Sequence, residues 1–229
     1  MGRILSRGKM LGGAIALIAV AAAGAVWLTR GPMSAPEPSA VEYPLRGVDL
    51  SAHNGTVDFE AVRDAGYSFV ILKATEGAGF KDREFTAGYR EARRAGLHVG
   101  AYHFFRFDRT GYMQAINILH SLRGKRLDFP LILDVEEWGN PSNPATSEII
   151  TQLRVLIQLL ESHGHEVMIY TNKDGFKRFV AGRLEQHPLW ICDLSGAPEQ
   201  RGWRIWQFTH RGTVPGVKGH VDVNVINPK

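Results

Sequence analysis

The chain has 229 residues, 44% hydrophobic and 22% charged, with one cysteine and a formal net charge of +4; this suits one globular domain with an appendage and excludes an intramolecular disulfide. The positive charge sits in an acid-free start holding Arg3, Arg7, Lys9 and Arg30, which leaves 23 basic against 23 acidic side chains over residues 31–229. A neutral body without a basic block interleaved with aromatics excludes nucleic acid as the partner.

Residues 1–30 form a leader with a basic start and 19 uncharged residues from Met10 to Leu28. That run is at the threshold for crossing a bilayer, and its basic flank belongs on the cytoplasmic side. The leader therefore reads as a signal anchor or a signal peptide, with Ala23-Gly24-Ala25 as the cleavage site of the latter. The length of the run and Trp27 at its outer edge favour the anchor. Either form exports the rest of the chain to the cell envelope, membrane-anchored or, after cleavage, secreted. Residues 31–45 are rich in Pro, Ser and Ala without periodicity, which predicts a linker, and residues 46–229 are the expected folded domain.

Within that domain a unit recurs: helical spacing, then a glycine, then a short apolar run. "FEAVRDAGYSFVILKA", "YREARRAGLHVGAYHFF" and "LIQLLESHGHEVMIYT" show it in turn. Gly66, Gly96 and Gly164 fit the left-handed residue that ends a helix. Phe85, Tyr89 and Ala92 share one helical face, as do Ile149, Leu153, Leu156 and Leu160. The apolar runs lack alternation, as strands covered on both sides do. The expected strands are 47–51, 69–74, 98–105, 130–136, 166–171, 189–194, 204–209 and 221–226. Connections after residue 189 are too short for full helices, and about 185 residues fall short of the ~250 of a complete barrel. The expected fold is thus a shortened, irregular TIM-like (β/α) barrel of parallel strands, about eight in number, with fewer helices.

In such a barrel the chemistry collects at the C-terminal ends of the strands. The expected ends carry Asp49, Lys73, Glu76, Tyr102, His103, Asp134, Glu136, Tyr170, Asp193, Trp206, Gln207 and Asp222. Asp134 and Glu136 are two apart, so on a strand they face the same side about 6.6 Å apart while Val135 faces the opposite side. Two carboxyls in one cleft cannot both ionise easily; one keeps its proton. An acid beside an anion is what glycosidic-bond cleavage requires, with Glu136, further out, as the acid and Asp134 as the anion. A Mg²⁺ site and a structural ion-pair network with Lys73 are the rival readings of the same acids. Cys192 reads as a small buried apolar residue. His53 and His103 stand beside strand ends within reach of substrate, whereas His163, His165, His187 and His210 read as loop or surface residues.

The segments "RGVDLSAHNGTVDFEAVRDAGYSFVILKATEGAGFKDREF", "AGLHVGAYHFFR", "PLILDVEEW", "MIYTN", "PLWICDL" and "RIWQFTHRGTVPGVKGHVDVNV" resemble, in order and spacing, the lysozymes of glycoside hydrolase family 25. The resemblance covers about residues 46–227. It implies a shortened β/α barrel and retaining hydrolysis of the β-1,4 bond between N-acetylmuramic acid and N-acetylglucosamine in peptidoglycan glycan strands; a monomer with no metal or cofactor is the accompanying expectation. By resemblance the acidic centre is Asp49, Asp134, Glu136 and Asp222, with Glu136 as general acid/base. Asp134 either attacks the sugar or orients its 2-acetamido group, and Asp49 and Asp222 fix the pair. Tyr102, Tyr170 and Trp206 would contact sugar, and Lys73 and Gln207 complete the expected substrate-binding set. Two departures stand out: Cys192-Asp193-Leu194 replaces an alanine and an aromatic, implying a more acidic groove wall, and Asn54 replaces a frequent Gln. A non-catalytic peptidoglycan-binding barrel and a chitinase-like glycosidase are the alternatives.

Overall fold

The computed structural model describes residues 34–229. Nine strands form one sheet: β1 (Arg46–Leu50), β2 (Phe69–Glu76), β3 (Phe80–Lys81), β4 (His98–Phe104), β5 (Leu131–Asp134), β6 (Val167–Asn172), β7 (Leu189–Cys192), β8 (Trp203–Gly212) and β9 (Val221–Ile226). Eight of them close into a barrel in the order β1-β2-β4-β5-β6-β7-β8-β9, with β9 pairing back onto β1. The two-residue β3 only folds back against the end of β2. The shortened, irregular TIM-like barrel expected from the sequence is the observed one.

One strand departs from the parallel expectation. β9 runs antiparallel to both β8 and β1. The physical reason is the connection: residues 213–220 are too few for the crossover that a parallel pair needs. The start of β9 therefore lies at the rim where the other barrel strands end, and Asp222 pairs with Asp49 across β1.

Four helices cover the barrel: α1 (Phe59–Asp64), α2 (Phe85–Arg94), α3 (Gly111–Leu122) and α4 (Thr146–Ser162). After β6 only Lys173–Gly175 and one turn of π-helix, Phe176–Val180, remain. Asp58 starts α1 by accepting the amides of Glu60 and Ala61. Gly66, Gly96 and Gly164 take φ of 91°, 84° and 82°, so each helix ends where lacking a Cβ removes the steric cost. Ile149, Leu153, Leu156 and Leu160 of α4 are all buried against the sheet. Each such burial stabilises the fold by about 1.5–3 kcal/mol.

The barrel interior is a separate apolar cluster that includes Phe69, Ile71, Ile132, Met168, Trp190 and Ile205. At its floor Gly47 pairs with Phe69, and a Cβ at Gly47 would sit 2.3 Å from the Phe69 ring. The glycine leaves room for the aromatic plug.

The leader lies outside the described residues. The linker expectation is corrected over the part described. Residues 34–45 lie along β8: Ser34 bridges Thr209, and the Ala35 amide donates to the Phe208 carbonyl at 2.7 Å. Tyr43 is buried against Trp203 and Trp206, with ring centroids 6.2 and 5.9 Å away. A stretch without periodicity can still dock when one aromatic finds an apolar seat.

Candidate active site

The barrel places Asp49 on β1, Tyr102 on β4, Asp134 at the end of β5, Tyr170 on β6, Gln207 on β8 and Asp222 on β9. β5 ends at Asp134 rather than at residue 136, so Glu136 stands just beyond the strand. Val135 still donates to the Tyr170 carbonyl at 2.9 Å and is buried in the layer under the helices. The alternation expected for Asp134, Val135 and Glu136 therefore survives past the strand end. Asp134 is buried, while Glu136, Asp49, Tyr102 and Asp222 are partly exposed. A cleft of about 230 Å³ opens above Asp49, Tyr102 and Asp222, walled by Ser51, His53 and Asn54.

All four acids are pushed up, not one of a pair. Burial, with the charge of Asp49 next, raises Glu136 to about 7. Burial and then the charge of Glu136 raise Asp134 well above the usual carboxylate range. Lys73 opposes both shifts. Burial and the neighbouring Asp49 raise Asp222 to about 9. Burial also raises Asp49, to about 6, against hydrogen bonds from Asn224, Gln207 and Asp222. Asp49 and Asp222 thus share a proton. Oδ1 of Asp134 is buried without a hydrogen-bond partner among the described residues; such an atom is costly until something donates to it.

Beneath the acids lies a hydrogen-bond network. Gln207 Nε2 and Asn224 Nδ2 donate to Asp49 Oδ2 at 2.9 and 2.7 Å. Tyr170 donates its hydroxyl proton to Gln207 Oε1 at 2.7 Å, and Trp190 Nε1 donates to Asn224 Oδ1 at 2.8 Å. His210 Nε2 lies 3.1 Å from the same Gln207 oxygen and 3.3 Å from Cys192 Sγ. Sequence reasoning missed Asn224 and Trp190, and it read His210 as a loop or surface residue, whereas the residue lies within β8, half-buried against this network. The available signal for Asn224 was its place two residues past Asp222 on the same expected strand, which puts both side chains on one face. Cys192 is buried, and burial followed by the charge of Glu136 pushes its thiol up, so it stays protonated and inert.

Several expected contacts are corrected. Trp206 is 3% exposed, packs on Tyr43 and Phe208, and donates Nε1 to the Asp193 carbonyl at 2.8 Å. It faces outward from the barrel, which leaves no ring face for a sugar. Gln207, its neighbour, faces inward but is fully buried and holds Asp49. His103 is fully buried between Thr75 Oγ1 at 2.7 Å and Gln114 Oε1 of α3 at 3.0 Å, away from the cleft. Asp193 does not make the wall acidic. Its buried carboxylate pairs with Lys173 at 2.9 Å, and although burial pushes it up, Ser195 and Lys173 hold it below the usual value. Lys73 Nζ donates to Glu76 Oε2 at 2.8 Å and lies over the rings of Phe80 and Phe104. Tyr102 keeps its proton because burial, and then the charge of Asp49, push its hydroxyl well up.

Residues 48–217 match the family model described as glycosyl hydrolases family 25. The chain belongs to glycosyl hydrolase family 25. Membership makes it a glycoside hydrolase of lysozyme type. It is 33% identical to the protein YegX of Escherichia coli K12, over 81% of this chain and 70% of that one. It is 32% identical to lysozyme M1 of Streptomyces globisporus, over 80% of this chain and 68% of that one. Among solved structures, a family 25 glycosyl hydrolase from Bacillus anthracis superposes with a TM-score of 0.79 at 28% identity, covering 87% of this chain and 95% of that one.

Proposed function

We propose that this family 25 chain is an N-acetylmuramidase, cutting peptidoglycan glycan strands at the β-1,4 bond between N-acetylmuramic acid and N-acetylglucosamine, with retention. The observation that carries this is a carboxyl held at about 7, Glu136, beside a buried Asp134 oxygen to which none of the described residues donates. Glu136 gives its proton to the leaving glycosidic oxygen. The oxygen of the 2-acetamido group attacks the anomeric carbon from the opposite side as that bond breaks. The acetamido N–H donates to Asp134 Oδ1, which supplies the missing partner and, by favouring the ionised carboxyl, lets it steady the positive oxazolinium ring. Water then opens the ring at the anomeric carbon and passes a proton to the Glu136 carboxylate. Two inversions leave the configuration unchanged.

Asp134 would also retain configuration as a direct nucleophile. Its position beside Glu136 along one chain segment favours the assisted route, since a nucleophile belongs across the sugar from the acid. Asp49 and Asp222, sharing a proton, hold the floor of the cleft, and Tyr102 offers a neutral hydroxyl to the sugar. Lys73 restrains the rise of both acids. The leader exports the domain to the envelope. Among the described residues no helix is long and apolar enough to cross a membrane, so any anchor rests with that leader.

Digestion of purified sacculi followed by borohydride reduction and mass spectrometry tests the substrate. Reduced muramic acid at the new chain ends is the expected product. Reduced glucosamine ends, or digestion of chitin at a comparable rate, would replace the muramidase with another glycosidase. Binding to sacculi without new ends would leave a binding module.

A further inference from the structure

β8 contains a bulge beside the acidic centre. Trp206 pairs with Val225 and Gln207 with Asn224, but the next partner of β9, Val223, pairs with Thr209. Phe208 is the extra residue, and its carbonyl falls outside the barrel ladder. The residues just before the bulge are Gln207 and Asn224, the two amides that donate to Asp49 Oδ2. Bulges of this kind aim a side chain next to a functional site.

Residues 34–45 occupy this spot from outside the barrel. The Ala35 amide takes the Phe208 carbonyl at 2.7 Å, and Ser34 bridges Thr209 with a bond between their hydroxyls. Tyr43 covers Trp206 edge-on at 5.9 Å. Arg46 fastens the lower part by pairing with Glu37 and donating to the Pro38 carbonyl at 2.6 Å. The stretch lies ahead of residue 48, where the family match begins. Without these bonds the bulge can relax by a one-residue slip, and such a slip turns every following side chain to the other face.

We propose that residues 34–45 are a positioning strap: they hold the Phe208 bulge and so keep the Gln207 and Asn224 amides on Asp49. The functional weight of Asp49 rests on the muramidase reading; the position of the strap does not. Ala35→Pro deletes the amide donor without touching the cleft. Tyr43→Ala removes the cover over Trp206, and Tyr43→Phe keeps it. A carbon-13 carboxyl NMR titration of Asp49, without substrate, reads the clamp directly. Its midpoint, about 6 in the intact protein, should rise by about half a unit or more in Ala35→Pro and Tyr43→Ala as amide donors loosen. On sacculi, kcat should fall about 10-fold with KM nearly constant. Tyr43→Phe should behave as the parent. Folded Ala35→Pro and Tyr43→Ala proteins with the parent midpoint overturn the strap, even if their turnover drops, because lost turnover alone would report general stability. Should Ala35→Pro not fold, the Tyr43 pair decides. An intact protein inactive on sacculi would remove the muramidase reading and leave the titration to judge the strap.

Discussion

The sharpest consequence of the site concerns Glu136 and pH. Burial and the charge of Asp49 hold this carboxyl at about 7, against 4.5 for an ordinary glutamate. A general acid works only while protonated, so kcat/KM follows the protonated fraction of the free enzyme. That fraction is about nine-tenths at pH 6, a half at pH 7, a tenth at pH 8 and a hundredth at pH 9. Activity should therefore bend downward near pH 7 and then fall about tenfold per unit. Glu136→Gln keeps the shape but holds no transferable proton, and should lower turnover by about 10²–10⁴-fold. The bend near 7 should vanish with it. Reducing-end release from sacculi between pH 5 and 9 at fixed ionic strength measures both effects, and co-sedimentation confirms that the variant still binds. A variant that keeps more than about a tenth of the parent rate, or the same bend near pH 7, refutes the assignment of Glu136 as the acid.

Two further expectations concern stability. Asp222 is held at about 9 against an ordinary 3.8, so the folded chain keeps a proton that the unfolded chain sheds. This carboxyl's contribution is undiminished below about pH 4 and is progressively lost as pH rises through about 9. Asp222→Asn cannot ionise and should flatten that decline; identical Tm slopes from pH 4 to 9 in parent and variant would count against it. Gly111 starts α3 against α4, where an added Cβ would lie 2.0 Å from the Gln152 carbonyl oxygen. Gly111→Ala should destabilise by about 1–3 kcal/mol, seen as several degrees of Tm at about 2–4 °C per kcal/mol; an unchanged Tm would mean that the two helices part freely.

The strands and helices were legible wherever the pattern was local. The face of Ile149, Leu153, Leu156 and Leu160 and the glycines that end the helices need only one segment to be read. Trp206 and Gln207 show where such reading stops. Both stood at an expected strand end, yet neighbours on a strand face opposite ways, so one of them had to leave the cleft. Period alone does not say which. Tyr43 decides it by covering Trp206 from outside. His103 follows the same rule beside Tyr102, and Gln114 of α3 claims it.

By itself, the sequence determined the barrel class, the lack of net charge over residues 31–229 and the acids that gather at the rim, because spacing and residue type fix these before any long-range contact forms. Only the tertiary structure decided that β9 reverses, that Asp193 is neutralised by Lys173, that Asn224 and Trp190 support Asp49, and that residues 34–45 dock. Each of these joins groups far apart in the chain. Their free energies arise from contact and burial, which exist only once the barrel has closed.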